Sequence, residues 1–204
     1  LQRAPSAETR TEILGRMDQE LKRIHEILQR LLEFARPARR NPVVGDLNEL
    51  MRSSGALIEG RKGFRNIEMV YEPDDRLVPF ETEPEKIRQI VVNLIFNAVD
   101  AIPESGGTVT LRTKRLGPAV EIEVEDTGHG IPVEDLETVF DPFFTTKEPG
   151  KGTGLGLAVC LGLAESLGGT IDIRSEENAG TAVKVTLPLP GGEVGNEGRS
   201  NVEG

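Results

Sequence analysis

Three short stretches constrain the fold of this chain more than anything else in it: Asp126-Thr-Gly-His-Gly-Ile-Pro132, Phe140-Asp-Pro-Phe-Phe-Thr-Thr-Lys147 and Gly152-Thr-Gly-Leu-Gly-Leu157. The first closes a run in which Val120, Ile122 and Val124 alternate with Glu121, Glu123 and Glu125, the period of a half-buried strand. An acceptor-only carboxylate at such a strand end can take a hydrogen bond from an exocyclic amine such as adenine N6. Gly128 and Gly130 remove side chains, so a flat ring can approach the backbone. A simple Asp-Gly turn accounts for the same residues. Through the third stretch and just before it glycine recurs at every second residue, from Gly150 through Gly152 and Gly154 to Gly156, leading into an apolar helix over 154–167. The N–H groups of a helix N-terminus are unpaired and favour anions, so phosphate is the natural ligand there. A flexible hinge is the alternative. No Gly-Lys-Ser/Thr ends the run, and a long loop rather than a strand precedes the helix, which disfavours a P-loop or a dinucleotide-binding fold. That loop, residues 133–153, reads as a functional lid. Phe140, Phe143 and Phe144 are expected to latch it to the body, leaving Thr145, Thr146 and Lys147 near the phosphates.

The helix expected over 84–102, with Pro84 in its first turn, supplies the other wall. On a helical wheel Lys86, Gln89, Asn93, Asn97 and Asp100 fall within a sector about 80° wide. Ile90, Val91, Val92, Leu94, Ile95, Phe96, Ala98 and Val99 cover most of the remainder. A helix so apolar is buried, and its polar strip faces either solvent or an internal polar site. Asn93 and Asn97 are four apart, so their amides can converge on one object, and an amide oxygen suits a hard cation such as Mg²⁺.

Elsewhere, residues 6–36 read as one long helix capped by Ser6, with an apolar seam through Ile13, Met17, Leu21, Ile24, Leu28, Leu31 and Ala35. A single stripe of this kind needs a partner helix. Pro37 and Pro42 bracket a basic link. A helix is expected over 47–60, strands at Ile67–Glu72 and Arg76–Phe80 around the turn Pro73-Asp-Asp75, and neighbouring strands at Thr108–Thr113 and Ala119–Glu125. A last strand pair is expected at Thr170–Ser175 and Thr181–Leu187. The formal net charge of −10 argues against nucleic acid as a partner. The one cysteine, Cys160, excludes an internal disulfide and reads as a small core residue. No apolar run reaches the roughly 18 residues of a membrane span, so no direct membrane contact is expected, and the lack of an internal disulfide fits a reducing compartment, with a cytoplasmic location expected. Membrane attachment of a longer parent is left open.

Taken in order, these segments resemble the ATP-binding catalytic domain of sensor histidine kinases, within the wider family that includes gyrase, the Hsp90 chaperone and MutL. Gln89-Ile-Val-Val-Asn-Leu-Ile-Phe-Asn-Ala98 looks like the N box, Asp126–Pro132 the G1 box, Phe140–Lys147 the F box and Gly152–Leu157 the G2 box. Gly180-Thr-Ala-Val-Lys-Val-Thr-Leu-Pro188 looks like the closing strand, and Arg30-Leu-Leu-Glu-Phe-Ala-Arg-Pro37 resembles the end of the second helix of the dimerisation and phosphotransfer hairpin.

The resemblance implies an α+β fold: a two-layer α/β sandwich of the Bergerat ATP-binding type, a mixed sheet with helices on one face, preceded by one long α-helix. It divides the chain into the second hairpin helix (1–36), a linker (37–46), the ATP-binding catalytic domain (47–188) and a disordered tail (189–204). ATP or ADP with Mg²⁺ is the implied cofactor. Asn97 is expected to hold Mg²⁺, and Asp126 to receive the adenine amine, with Thr181 nearby through water. Gly128 and Gly130 are expected to line the adenine pocket, and Gly152, Gly154 and Gly156 to contact phosphates. Asn93, Asp100, Ala101, Ile131, Thr145, Thr146, Lys147, Thr153, Leu155 and Leu157 complete the expected nucleotide-binding set. Asn93 and Lys147 are the catalytic candidates. ATPase relatives place a water-activating Glu where this chain has Asn93, which favours phosphoryl transfer over hydrolysis.

Two features depart from the family pattern. Many histidine kinases carry a lysine where this chain has Asp100, and Lys147 is the substitute cation. His25-Glu-Ile-Leu-Gln-Arg30 starts like a phosphoacceptor motif but lacks its Asn-Pro and sits within the expected second helix, so the acceptor histidine is expected to be absent from this chain. His129 reads as the variable residue of the G1 box. The implied partners are a response regulator receiver domain and, in the parent protein, a second copy through the N-terminal helix. A superfamily ATPase, or a non-catalytic nucleotide-binding dimerisation module, are the alternatives.

Overall fold

The computed structural model describes residues 17, 42–57, 66–147 and 152–191. The helix expected over 6–36 (except Met17), His25, residues 37–41 of the link, Gly150 and the tail beyond residue 191 lie outside the described residues. In chain order the elements are β1 (Val43–Gly45), α1 (Leu47–Ala56), β2 (Ile67–Glu72), β3 (Phe80–Thr82), α2 (Pro84–Ala101), β4 (Gly107–Leu116), β5 (Ala119–Asp126), a 3-10 turn (Val133–Asp135), α3 (Gly156–Ser166), β6 (Thr170–Glu176) and β7 (Gly180–Pro188).

The first two helices begin where their side chains favour it. Asp46 precedes α1, and its Oδ1 accepts the N–H groups of Asn48 and Glu49 at 2.8 and 3.2 Å. Pro84 opens α2, where its missing N–H costs nothing. The apolar circumference of α2 is buried as its sequence demands: Ile87, Ile90, Val91 and Ile95 are all 0% exposed. They pack on Val109, Leu111, Val120, Ile122, Val124 and Val185 of the sheet in one core. Each such side chain contributes about 1.5–3 kcal/mol on leaving water.

The main sheet has the order β2-β4-β5-β7-β6, with β2 and β4 parallel and every other pair antiparallel. One face lies under the helices, which gives two layers. The other face is charged, and register aligns one row across all five strands: Glu72, Arg112, Glu123, Lys184 and Asp172. Signs alternate along it. Arg112 bonds Glu123 at 2.7 Å and also Glu72 and Glu125, and Lys184 pairs with Glu123 at 2.8 Å. Burial alone would raise the Glu123 carboxyl, but Lys184 and Arg112 outweigh it and hold the group below the usual range. Directly opposed unlike charges stabilise a sheet by about 0.2–1 kcal/mol per pair. The polar alternation in β5 is thus the solvent side of a sheet.

One expectation fails. Arg76–Phe80 does not return as a strand around Pro73-Asp-Asp75. The Asp74 carboxylate instead accepts the Arg76 N–H and guanidinium and the Arg115 N–H, and its own N–H donates to Thr113. Arg76 and the Arg115 N–H hold the Asp74 carboxyl well below the usual range. The turn is therefore pinned to β4, and β2 pairs with β4 in parallel. The later strand β3 pairs with β1, which lies in the stretch read as linker.

Among the described residues no helix is long and apolar enough to cross a membrane. In α3, Gly162 is exposed, and a Cβ added there would meet nothing within 4 Å. Gly162→Ala is expected to stabilise the fold by about 0.5–1 kcal/mol through helix propensity alone, read as a higher denaturant midpoint at unchanged slope.

Candidate functional site

β5 and β7 pair so that Asp126 stands opposite Thr181, and β6 and β7 pair so that Thr181 stands opposite Ser175. All three side chains lie on the helix-covered face, where the strand ends meet a cavity of about 300 Å³. That volume sits at the small end of the range for ligand pockets. The cavity runs between α2 and α3 and is closed at its sides by the loops after β5 and before α3.

The polar strip of α2 forms one wall: Asn93, Asn97, Asp100 and Ala101 line the cavity. Asp126 and Thr181 line its floor, together with Val124, Ile173 and Val183. The loop after β5 contributes His129, Gly130 and Ile131, and the loop before α3 contributes Phe144, Thr145, Thr146 and Lys147. Gly152, Thr153, Gly154, Gly156 and Leu157 complete it around the start of α3. Asn97, Asp126 and Gly154 thus share one cleft. Two expected residues do not line it. Leu155 is buried at 3% exposure, and Gly128 is buried beneath the cavity, where its Cβ would lie 2.5 Å from the Ala101 carbonyl oxygen.

The apolar floor was missed from the sequence, although its signal was present. Val124 is two residues before Asp126 and Val183 two after Thr181, so strand alternation puts each on the same face as its polar neighbour. Leu94, Phe96, Ala98 and Val139 also reach the cavity.

Asp126 is 6% exposed. Burial raises its carboxyl above the ordinary value, opposed by the N–H groups of Gly128 and Thr181 and by His129. The Gly128 N–H reaches Oδ1 at 2.8 Å. A buried acceptor with lone pairs left over is poised for a donor from the cavity. The loop that carries it is seated on the C-terminus of α2 by the His129 N–H, which donates to the Ala101 carbonyl at 3.0 Å. At Gly130 φ is +67°, and a Cβ would collide with the Glu176 carbonyl at 2.0 Å, so this glycine is required by the fold itself.

The glycines at α3 divide by function. Gly154 has φ +63°, and its Cβ would fall 2.3 Å from the Phe143 backbone. Its carbonyl accepts the Phe143 N–H at 2.8 Å, which ties the preceding loop down. The latch is therefore partly backbone: Phe140 packs on the core and Phe144 lines the cavity, whereas the Phe143 side chain is 64% exposed. Gly156 differs. A Cβ there would meet only the Asn97 amide, at 3.6 and 3.7 Å. Nothing in the fold requires glycine at this position; a side chain would fill the space between Asn97 and the helix start. Leu155 gives no side-chain cap to the first-turn N–H groups of α3, which leaves the helix end suited to an anion.

Lys147, the cation candidate, forms an ion pair across the cavity mouth, its Nζ 2.6 Å from Asp100 Oδ2. Behind the wall Cys160 is 0% exposed, and burial pushes its thiol up to about 12, against a hydrogen bond from Asn93. It serves as a core residue. No group of three His, Cys, Asp or Glu able to hold a metal occurs among the described residues. One amide oxygen beside an anion cradle fits Mg²⁺, which takes few protein ligands alongside phosphates and water.

Comparison with known proteins identifies the family of this fold. Residues 82–191 match the family described as histidine kinase-, DNA gyrase B-, and HSP90-like ATPase. That is more than half of the sequence, and the chain belongs to this family. It is 33% identical to the sensor histidine kinase ZraS of Escherichia coli (strain K12), a match covering 92% of this chain and 40% of that protein. The catalytic domain of histidine kinase ThkA superposes with a TM-score of 0.64 at 34% identity, covering 73% of this chain and 96% of that one. ThkA in complex with the response regulator TrrA gives 0.71 at 28% identity, covering 91% and 53%. The chain thus spans less than half the length of ZraS.

Proposed function

We propose that this chain is the ATP-binding catalytic part of a sensor histidine kinase, supplying Mg-ATP for phosphoryl transfer to a histidine on a separate element. The observation that carries the reading is the convergence of Asn97, Asp126 and the start of α3 on one cavity. Asp126 takes the adenine amine and Thr181 assists at the same end. The N–H groups at the start of α3 and the Lys147 ammonium neutralise phosphate charge. Asn97 offers its amide oxygen to Mg²⁺, which when bound neutralises charge on the phosphate oxygens. Asn93 stands in the wall without a carboxylate, so no general base is present there to activate water. Catalysis then rests on positioning and charge, as phosphoryl transfer allows.

The likeness to a kinase crystallised with its response regulator supports a receiver domain as the downstream partner. Dimerisation through the N-terminal helix and a cytoplasmic location belong to the same reading.

Calorimetric titration tests it. The expected result is one saturable ATP site that weakens when Mg²⁺ is chelated. Asn97→Ala should bring the affinities with and without Mg²⁺ close together, because the variant lacks the oxygen that couples metal to nucleotide. An absence of ATP binding would sink the proposal, and steady phosphate release would move it to the ATPase reading.

A further inference from the structure

Ser175 does not line the cavity, yet its hydroxyl sits at the hub of the base-binding end. It receives the Ile131 N–H at 2.8 Å, lies 2.8 Å from the Gly180 carbonyl oxygen and 2.9 Å from Thr181 Oγ1. A hydroxyl has one proton and two lone pairs. The Gly180 carbonyl can only accept, so the Ser175 proton goes to it. One Ser175 lone pair is taken by Ile131. The remaining one must accept the Thr181 hydroxyl proton, since Ser175 has no second proton to give. The relay therefore runs from Thr181 through Ser175 to Gly180. Its consequence falls on the cavity. With its proton committed, Thr181 offers only lone pairs there, beside the Asp126 carboxylate, which when ionised also only accepts.

We propose that Ser175 is a positioning residue for nucleobase selectivity: it holds the Thr181 hydroxyl as an acceptor, so that this end of the cavity takes a 6-aminopurine and rejects a 6-oxopurine. An exocyclic amine, directly or through a water, finds two acceptors. A carbonyl in the same place faces two acceptors and loses its hydrogen bond, the kind of mismatch that discriminates strongly in a buried site. Without Ser175 the Thr181 hydroxyl rotates freely and can donate to that carbonyl. The inference rests on the nucleotide-site reading above and adds the residue that sets its base preference.

The experiment is titration of the chain with ATP and with GTP, each with Mg²⁺. In Ser175→Ala the ratio of ATP to GTP affinity should fall about five- to tenfold. Ser175→Thr retains the hydroxyl and should keep the ratio within about twofold of wild type. In a Thr181→Val background, Ser175→Ala should leave the ratio unmoved. A purely structural role, through the lost Ile131 bond, would weaken both nucleotides equally and leave the ratio unchanged, and that result overturns the proposal. If Ser175→Ala fails to fold, Ser175→Cys, of similar size but a weak donor and acceptor, should lower the ratio in its place, and an unchanged ratio there overturns it too. Failure of the wild-type chain to bind either nucleotide would instead strike the function proposed above.

Discussion

Asp126→Asn is expected to weaken ATP binding by roughly ten- to a hundredfold, the worth of a hydrogen bond to a charged acceptor, while leaving the fold nearly as stable as before. The two halves of this expectation have one cause. Burial raises the Asp126 carboxyl above its ordinary value. A carboxyl whose folded value is raised favours its neutral form in the folded state, so its charge opposes folding at neutral pH and the opposition fades as pH falls through the raised value. Replacing it with a neutral amide removes that cost. Against this, the amide has a single oxygen for the N–H groups of Gly128 and Thr181, so one of those bonds weakens. The net change in stability should lie within about 1 kcal/mol. Binding has no such compensation, because the amide presents either a weaker acceptor or an N–H to the adenine amine. The same carboxyl sets a pH dependence. Nucleotide affinity should fall as acid neutralises Asp126, in a window above the usual carboxylate range. Adenosine shows this most cleanly, since it carries no phosphate to titrate. The variant should lack that step, and equal pH profiles for wild type and variant would assign the base to another group.

Local periodicity was enough to find α2 and its polar strip, because Asn93, Asn97 and Asp100 are spaced by the helix itself. It was enough for the β4–β5 hairpin too, where Leu116 and Ala119 pair across the Gly117-Pro118 turn and Gly117 has φ +58°. It failed at Pro73–Phe80, where turn-forming residues suggested a hairpin. There the outcome depended on Thr113 and Arg115, some forty residues away, which pin Asp74 to β4. No local pattern encodes a parallel pairing of that kind. At the site the reverse holds: the polar residues were legible one by one, whereas the apolar floor follows only once Val124 and Val183 are seen as same-face neighbours of Asp126 and Thr181. The glycines show a further limit. In sequence Gly128, Gly130, Gly154 and Gly156 look alike. The structure shows three held by backbone collisions and one, Gly156, held by nothing in the fold.

That difference makes Gly156→Ala the sharpest probe of the phosphate end. The added methyl would stand 3.6 Å from Asn97 Nδ2, an ordinary contact, at the first position of α3. The φ of Gly156 is outside the left-handed region, so alanine fits without strain and, at this end position, keeps part of the about 0.5–1 kcal/mol it gains over glycine in a helix interior. The variant should therefore melt at the wild-type temperature or above it. Yet its methyl occupies the gap between the Asn97 amide and the helix start, where a phosphate and its Mg²⁺ would have to lie. Mg-ATP affinity is expected to drop about tenfold or more, roughly 1.4 kcal/mol. Adenosine, which lacks phosphates, should bind as in wild type. Asp126→Asn should show the converse, losing adenosine and ATP alike, because it acts on the base. Calorimetry with both ligands on both variants separates the two ends of the cavity. A Gly156→Ala chain that binds Mg-ATP undiminished would mean that the phosphates do not pass between α2 and α3, and the anion-binding role of the α3 N-terminus would have to be given up.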